Sequence, residues 1–239
     1  MDIHDHLLGG SSDNFWFAGK RGLIDILLCR AGLPQNAKIL NIGVGTGDDL
    51  AVIKKHGAVY GLDIDQRALD VIPDGLLIQK VLGDVCSIPF PDNFFDCVVA
   101  FDVLEHVKND VLAAQEIRRV LKPGGSFVAT VPAFPFLFSK HDVVLQHVRR
   151  YTFKQFRALL SKQCDILSQG YWMFFLFGMV VFQRLILEKL RPSSQIHQRV
   201  PRVVNALFLK ILSLENWLIA HKIKLPIGTS LWAMCRKNR

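Results

Sequence analysis

From Lys38 onward the chain alternates short, continuously apolar runs with helical stretches, and this alternation limits the fold more than any other feature. The apolar runs are KILNIG (38–43), AVYGLDI (58–64), part of LLIQKVLGD (76–84), FDCVVAFD (95–102) and GSFVATV (125–131). Between them lie DDLAVIKKHG (48–57), which stops at a glycine, and QRALDVI (66–72), stopped by Pro73. A third helix is expected over NDVLAAQEIRRVLKPGG (109–125), capped by Asn109 and ended by a proline and paired glycines. Strands that are apolar throughout are buried on both faces, so the sheet is parallel and covered by helices on either side. At 239 residues the chain can hold one large domain with a sizeable core.

Charge divides the chain in two. Residues 1–120 carry 11 Lys and Arg against 17 Asp and Glu, a net of −6, whereas residues 121–239 carry 18 against 4, a net of +14. Such asymmetry calls for an anionic partner on the C-terminal side: a membrane surface, a phosphorylated substrate or, on charge alone, nucleic acid. The five cysteines are scattered and form no C-x-x-C pair, which argues against a disulfide framework or a structural zinc site and for a reducing compartment. The start, MDIHDHLLGGSSDN, is polar and acidic, without the basic and apolar segments of a secretory signal. No uncharged apolar run reaches the roughly eighteen residues of a spanning helix. The expectation is a cytoplasmic protein, with contact to the inner face of a membrane left open.

ILNIGVGTGDDL (39–50) sets Gly43, Gly45 and Gly47 between the first strand and its helix, where glycine permits a tight turn and close approach of a ligand. A dinucleotide loop would need glycine where Asp48 stands, and a carboxylate there would repel a pyrophosphate. The loop instead resembles the G-x-G-x-G signature of class I S-adenosylmethionine-dependent methyltransferases. GLDID, ending at Asp65, GDVCSIPFPDNFFD (83–96), VLEHV (103–107) and LKPGG (121–125) are similar to further segments of the ubiquinone/menaquinone-type branch.

This resemblance, which covers residues 38–131, implies an α/β fold with a Rossmann-like, doubly wound, seven-stranded sheet. The implied order is 3-2-1-4-5-7-6, with the seventh strand antiparallel. It implies S-adenosyl-L-methionine as cofactor, held by Asn41, Gly43, Gly45, Gly47, Asp63, Ile64, Asp84, Val85 and Phe101. Asp63 would chelate the ribose hydroxyls, and Asp84 would accept from the adenine amino group with Val85 beside the ring. Asn41 stands where the family usually has an acid, which should weaken cofactor binding somewhat. The N-terminal DNFWFAGKRGLIDILLCRAG (13–32) is similar to the family's lead-in helix, with Trp16 and Arg21 either facing the site or packing on the sheet.

After the fifth strand, AFPFLFSKHDVVLQHVRRYTFKQFRALLSKQCD (133–165) is placed where this fold builds its acceptor pocket. Arg149, Arg150 and Tyr151 are the candidate acceptor-binding residues, since guanidinium pairs bidentately with carboxylate or phosphate; a solvated basic face is the alternative. If the acceptor must lose a proton, His106, His141 and His147 are the candidate bases. His141, Asp142 and His147 match no strong metal signature, so no metal is expected. VPAF (131–134) replaces the motif of adenine-N6 methyltransferases, which disfavours nucleic acid.

CDILSQGYWMF (164–174) and GTSLWAMCRK (228–237) supply the expected sixth and seventh strands. Residues 175–227 are then a hydrophobic helical insertion in a methyltransferase domain formed by 1–174 and 228–239. LFGMVVFQRLILEKL (176–190) and RVVNALFLKILSLENWLIAHK (202–222) read as helices around a basic loop, 192–201. The second has Arg202, Asn205, Ser213 and Asn216 in one narrow polar strip, and the broad apolar faces of both require burial, as a cap or dimer contact or as a peripheral membrane anchor with Arg184, Lys189, Arg191, Arg199, Arg202 and Lys210 near lipid phosphates. The expected activity is O-methylation of a lipophilic, lipid-linked or anionic small molecule. The rivals are a non-catalytic cofactor-binding scaffold and an RNA methyltransferase.

Overall fold

The computed structural model describes residues 14–187 and 200–238. Helix α1 (Phe15–Ala31) leads into β1 (Ala37–Ile42), α2 (Leu50–Ile53), β2 (Gly57–Asp63), α3 (Gln66–Asp70), β3 (Gln79–Leu82) and β4 (Phe95–Phe101). Then come α4 (Asp110–Val120), β5 (Leu121–Pro132), α5 (Lys140–Val144), α6 (Phe153–Ser161), β6 (Asp165–Trp172), α7 (Phe177–Phe182), α8 (Arg202–Ala220) and β7 (Ser230–Arg236). The seven strands form one sheet in the order β3-β2-β1-β4-β5-β7-β6. The first five run parallel, and β7 inserts antiparallel between β5 and β6. Fold and strand order are those the sequence implies.

Alternation along the strands divides the core between the two faces. Ile39, Val99 and Val128 pack with Leu23, Ile24 and Leu27 of α1, while Leu40, Val98 and Phe127 pack with Ile117 of α4 and Phe156 of α6. Helix α4 starts on the Asn109 side chain, which accepts from the Leu112 amide, but it ends earlier than its expected 109–125 span. Leu121 already pairs with Phe95, so LKPGG opens strand β5 instead of closing the helix.

The insertion departs most from expectation. α7 continues into a π-helical turn (Gln183–Leu187), and α8 packs lengthwise on α1. Of the basic loop at 192–201, all but its last two residues lie outside the described residues, as do Lys189, Arg191 and Arg199. Helix α8 buries Leu212 and Ile219 in the core and turns three polar residues inward beside them: Asn205 Oδ1 accepts from the Phe15 amide at 2.7 Å, Glu215 Oε1 from the Phe175 amide at 2.8 Å, and Asn216 Oδ1 from Trp172 Nε1 at 3.0 Å. Asn216 also donates to the Gly19 carbonyl. Meanwhile Val203, Leu207, Leu214 and Trp217, spaced by four, seven and three residues, share one outward face and are exposed. Helix α8 is long and apolar enough to cross a membrane, yet these inward hydrogen bonds make it part of the domain.

Candidate active site

A cavity of about 1040 Å³ lies at the C-terminal ends of β1, β2 and β4, bounded by α1, by the segment after β5 and by α7. Parallel strands direct their carboxyl ends and following loops to this edge, so the site's location follows from the topology.

One wall is built mostly of backbone. Gly43 and Gly45 take left-handed φ angles of 64° and 53°, and a Cβ on Gly43 would come within 2.5 Å of Val103. The Gly45 amide donates to Asp63 Oδ2 at 2.8 Å and the Asp65 amide to Asp63 Oδ1 at 3.0 Å, which fixes the carboxylate at the end of β2. A carboxylate has about four acceptor sites, so both oxygens keep capacity for a vicinal diol. Next to it Ile64 is 74% exposed, above the buried Val85. An exposed isoleucine beside such a carboxylate is a surface that a flat apolar ring would cover, recovering roughly 1.5–3 kcal/mol. Asp84 accepts from the Cys86 amide at 2.8 Å and lines the same wall, as do Asn41 and Phe101. Gly47 lies behind the loop, where its φ of 85° lets the chain pack on Leu50 and Ile72. Diol acceptor, apolar ring platform and side-chain-free loop together fit S-adenosylmethionine.

Lys20, which the sequence did not single out, closes this wall from α1. Its ammonium stands 2.8 Å from Asp102 and 3.7 Å from Asp49, with Trp16 5.1 Å away. Burial works against the charge, but the two carboxylates outweigh it and raise the Lys20 pKa. For Asp102 burial is again the opposing effect, and the adjacent Lys20 holds the carboxyl below its usual range. Asp102 sits at φ 57°, an unusual backbone held by its amide bond to the Thr130 carbonyl. Trp16 lines the cavity; Arg21 does not.

The opposite wall is built of side chains around Asp142. This residue lies on the short helix α5, which starts where Ser139 and Asp142 form a reciprocal capping box. Fully buried, Asp142 accepts from His147 Nδ1 at 2.8 Å, Arg150 Nε at 2.7 Å and Arg184 at 2.7 Å. Burial opposes its charge, yet the His147 bond and the two guanidinium groups hold its carboxyl well below the usual range. His106, His141 and His147 all line the cavity, and the rings of His106 and His147 stand perpendicular with centroids 4.7 Å apart.

The three residues expected to bind the acceptor part company here. Arg150 lines the cavity but is committed to Asp142 and to the Ala133 carbonyl. Arg149 and Tyr151 lie off the cavity lining. Arg149 pairs with Asp110 at 2.7 Å and donates to the Lys108 carbonyl; the buried Tyr151 hydroxyl donates to the same Asp110 at 2.8 Å and to the Leu104 carbonyl. Their basic and phenolic groups therefore brace the start of α4, a tertiary pairing that residue type alone does not reveal. Arg184, expected near lipid phosphates, instead lines the cavity and pairs with the buried Asp142. Lys20, Asp102 and Glu105 are cavity residues that sequence reasoning missed. Of these only Glu105 carried a signal, inside VLEHV.

Residues 40–129 match the family model of a methyltransferase domain. The ubiquinone/menaquinone biosynthesis C-methyltransferase UbiE of Vibrio cholerae is 34% identical over 147 residues, covering 57% of this chain and 54% of that protein. The corresponding enzyme of Shewanella frigidimarina is 29% identical over 178 residues, covering 69% and 66%. Among solved structures, a putative methyltransferase complexed with the Trm112 activator of Haloferax volcanii superposes with a TM-score of 0.64 at 16% identity, over 99% of this chain and 95% of that one. The chain spans about half the length of the first of these relatives. Fold, cofactor wall and family match together define a class I S-adenosylmethionine-dependent methyltransferase domain. Within that class its sequence is similar to the ubiquinone/menaquinone-type branch over about half to two thirds of those proteins.

Proposed function

We propose that this protein transfers the methyl group of S-adenosylmethionine to a hydroxyl oxygen of a lipophilic, lipid-linked acceptor, working as a peripheral protein on the cytoplasmic face of an anionic membrane. The observation that carries the reading is the double role of the insertion. Val180, Gln183 and Arg184 of the α7 segment form part of the cavity wall, while α8 beside it presents apolar side chains outward. Arg202, Lys210, Lys222 and Lys224 are exposed along and beyond α8, each worth about 1 kcal/mol near anionic lipid. An acceptor with an apolar tail could thus stay in the lipid while its head enters the cavity.

The cofactor supplies a methyl group on a sulfonium, open to in-line displacement, so most of the catalysis is positioning. Asp63 and the glycine loop fix the donor at one wall. At the other, the Asp142 network holds His147 and Arg184 beside His106 and Glu105, and the acceptor's reacting group lies between the two walls. A second reading, methylation at a ring carbon of a quinol, is favoured by the relatives' names, which specify C-methyltransferases. Incubation with methyl-labelled cofactor and a membrane lipid extract tests both. Label in a lipid fraction as an ether supports oxygen, label on a ring carbon supports the second reading, and no label in lipid contradicts the lipophilic acceptor.

A further inference from the structure

Glu105 is the least explained group in the cavity. It has no exposed surface, yet neither carboxylate oxygen meets a hydrogen-bond donor among the described residues. A buried carboxylate without a partner is among the costliest arrangements in a protein, and such groups are paired or bind metal. Lys20, the nearby ammonium, is already bonded to Asp102. The two Glu105 oxygens therefore stay open to a cation.

Two imidazoles complete a ligand set. One ligand atom each from Glu105, His106 and His147 lies within 4.8 Å of the others. Ligands about 2.1 Å from a common ion stand roughly 3–4 Å apart, so small side-chain adjustments would close the set. His147 is already oriented for the task. Its Nδ1 bonds to Asp142, which leaves Nε2 as the ligand atom, and Arg150, Arg184 and Ser139 hold Asp142 in turn. A carboxylate behind a histidine is the usual outer support of a metal ligand. The Val148 amide bonds to the Glu105 carbonyl and ties the two ligand-bearing segments together.

We propose that Glu105, His106 and His147 form a divalent transition-metal site at the acceptor end of the cavity, and that an acceptor hydroxyl binds there. Two imidazoles and one carboxylate suit Zn²⁺, Mn²⁺, Fe²⁺ or Co²⁺ better than Mg²⁺ or Ca²⁺, and three protein ligands leave positions open for an oxygen of the acceptor. The site rests on the methyl-transfer reading for its role, though not for its existence. A metal held there would lower the pKa of the acceptor hydroxyl, whose proton would pass to water. The oxygen lone pair then forms the new C–O bond as the S–C electron pair returns to sulfur, leaving a methyl ether and S-adenosylhomocysteine.

The test is titration of the chelator-treated full chain with Zn²⁺ and with Co²⁺, followed by calorimetry and Co²⁺ absorption. One equivalent should bind at the site, and Glu105→Gln or His147→Ala should weaken it at least tenfold. Asp25, Cys29 and His56 form a second group of suitable atoms away from the cavity, so His56→Ala is the control. Binding lost in His56→Ala but kept in Glu105→Gln would overturn the proposal, and so would no binding of either ion by the wild-type chain. S-adenosylhomocysteine binding is measured alongside. Its persistence in chains that bind no metal would sink the metal site and spare the methyltransferase reading; its absence in the wild type would strike that reading alone.

Discussion

The two walls of the cavity are built on different principles. On the cofactor wall, backbone amides of a turn and a strand end grip one carboxylate, Asp63, and the partners lie at most 18 residues apart. On the acceptor wall, one buried carboxylate, Asp142, gathers side chains 5, 8 and 42 residues away. The first needs glycine and little else, so it tolerates change in the surrounding side chains. The second works only as a set, because removing one member leaves buried charges without partners.

This contrast can be broken by mutation, most severely at Asp142. Asp142→Ala strands Arg150, Arg184 and His147, and the loss of a buried ionic partner costs about 3–5 kcal/mol. For a chain of this size the melting temperature should fall by roughly 10 °C, read by calorimetry. A fall of only a degree or two would mean that the network is not a unit. Next in size is Asp63→Ala, which should weaken S-adenosylhomocysteine at least tenfold, or about 1.4 kcal/mol, with little change in melting temperature.

Arg149→Ala is expected to be milder. It breaks a partly exposed pair with Asp110 and should cost about 1 kcal/mol of stability while sparing cofactor affinity, as urea unfolding and calorimetry would report. A loss of cofactor affinity would place Arg149 in the site after all. The smallest effect on the folded protein should come from Leu207→Gln with Trp217→Gln on the outward face of α8, within about 0.5 kcal/mol. The same pair should abolish flotation with anionic vesicles. Unchanged flotation would remove the membrane from the account, and a shift from dimer to monomer would assign that face to a second copy of the chain.

How much of this was legible in the sequence follows the same division. Gly43, Gly45 and Asp63 could be read because their partners are local and their spacing is set by a strand, a turn and the next strand. Continuous apolar runs likewise revealed the parallel sheet. Arg149 misled because a guanidinium looks the same whether it faces a ligand or Asp110. Lys20 and Asp102 were missed, and Arg184 was assigned to lipid, because their partners come from distant segments. Helix α8 read correctly as an element, but residue type did not say which way its polar strip faces. In the structure Asn205 and Asn216 face inward to α1 and β6 together with the buried Leu212 and Ile219, and a second apolar face, Val203, Leu207, Leu214 and Trp217, is left exposed.

The most direct test of the central claim, a cavity with two separable walls, is calorimetric titration of S-adenosylhomocysteine into the wild type, Asp63→Ala and Glu105→Gln. The account predicts tight binding to the wild type, at least a tenfold loss in Asp63→Ala and no change in Glu105→Gln. Equal loss in both variants, or none in Asp63→Ala, would contradict it.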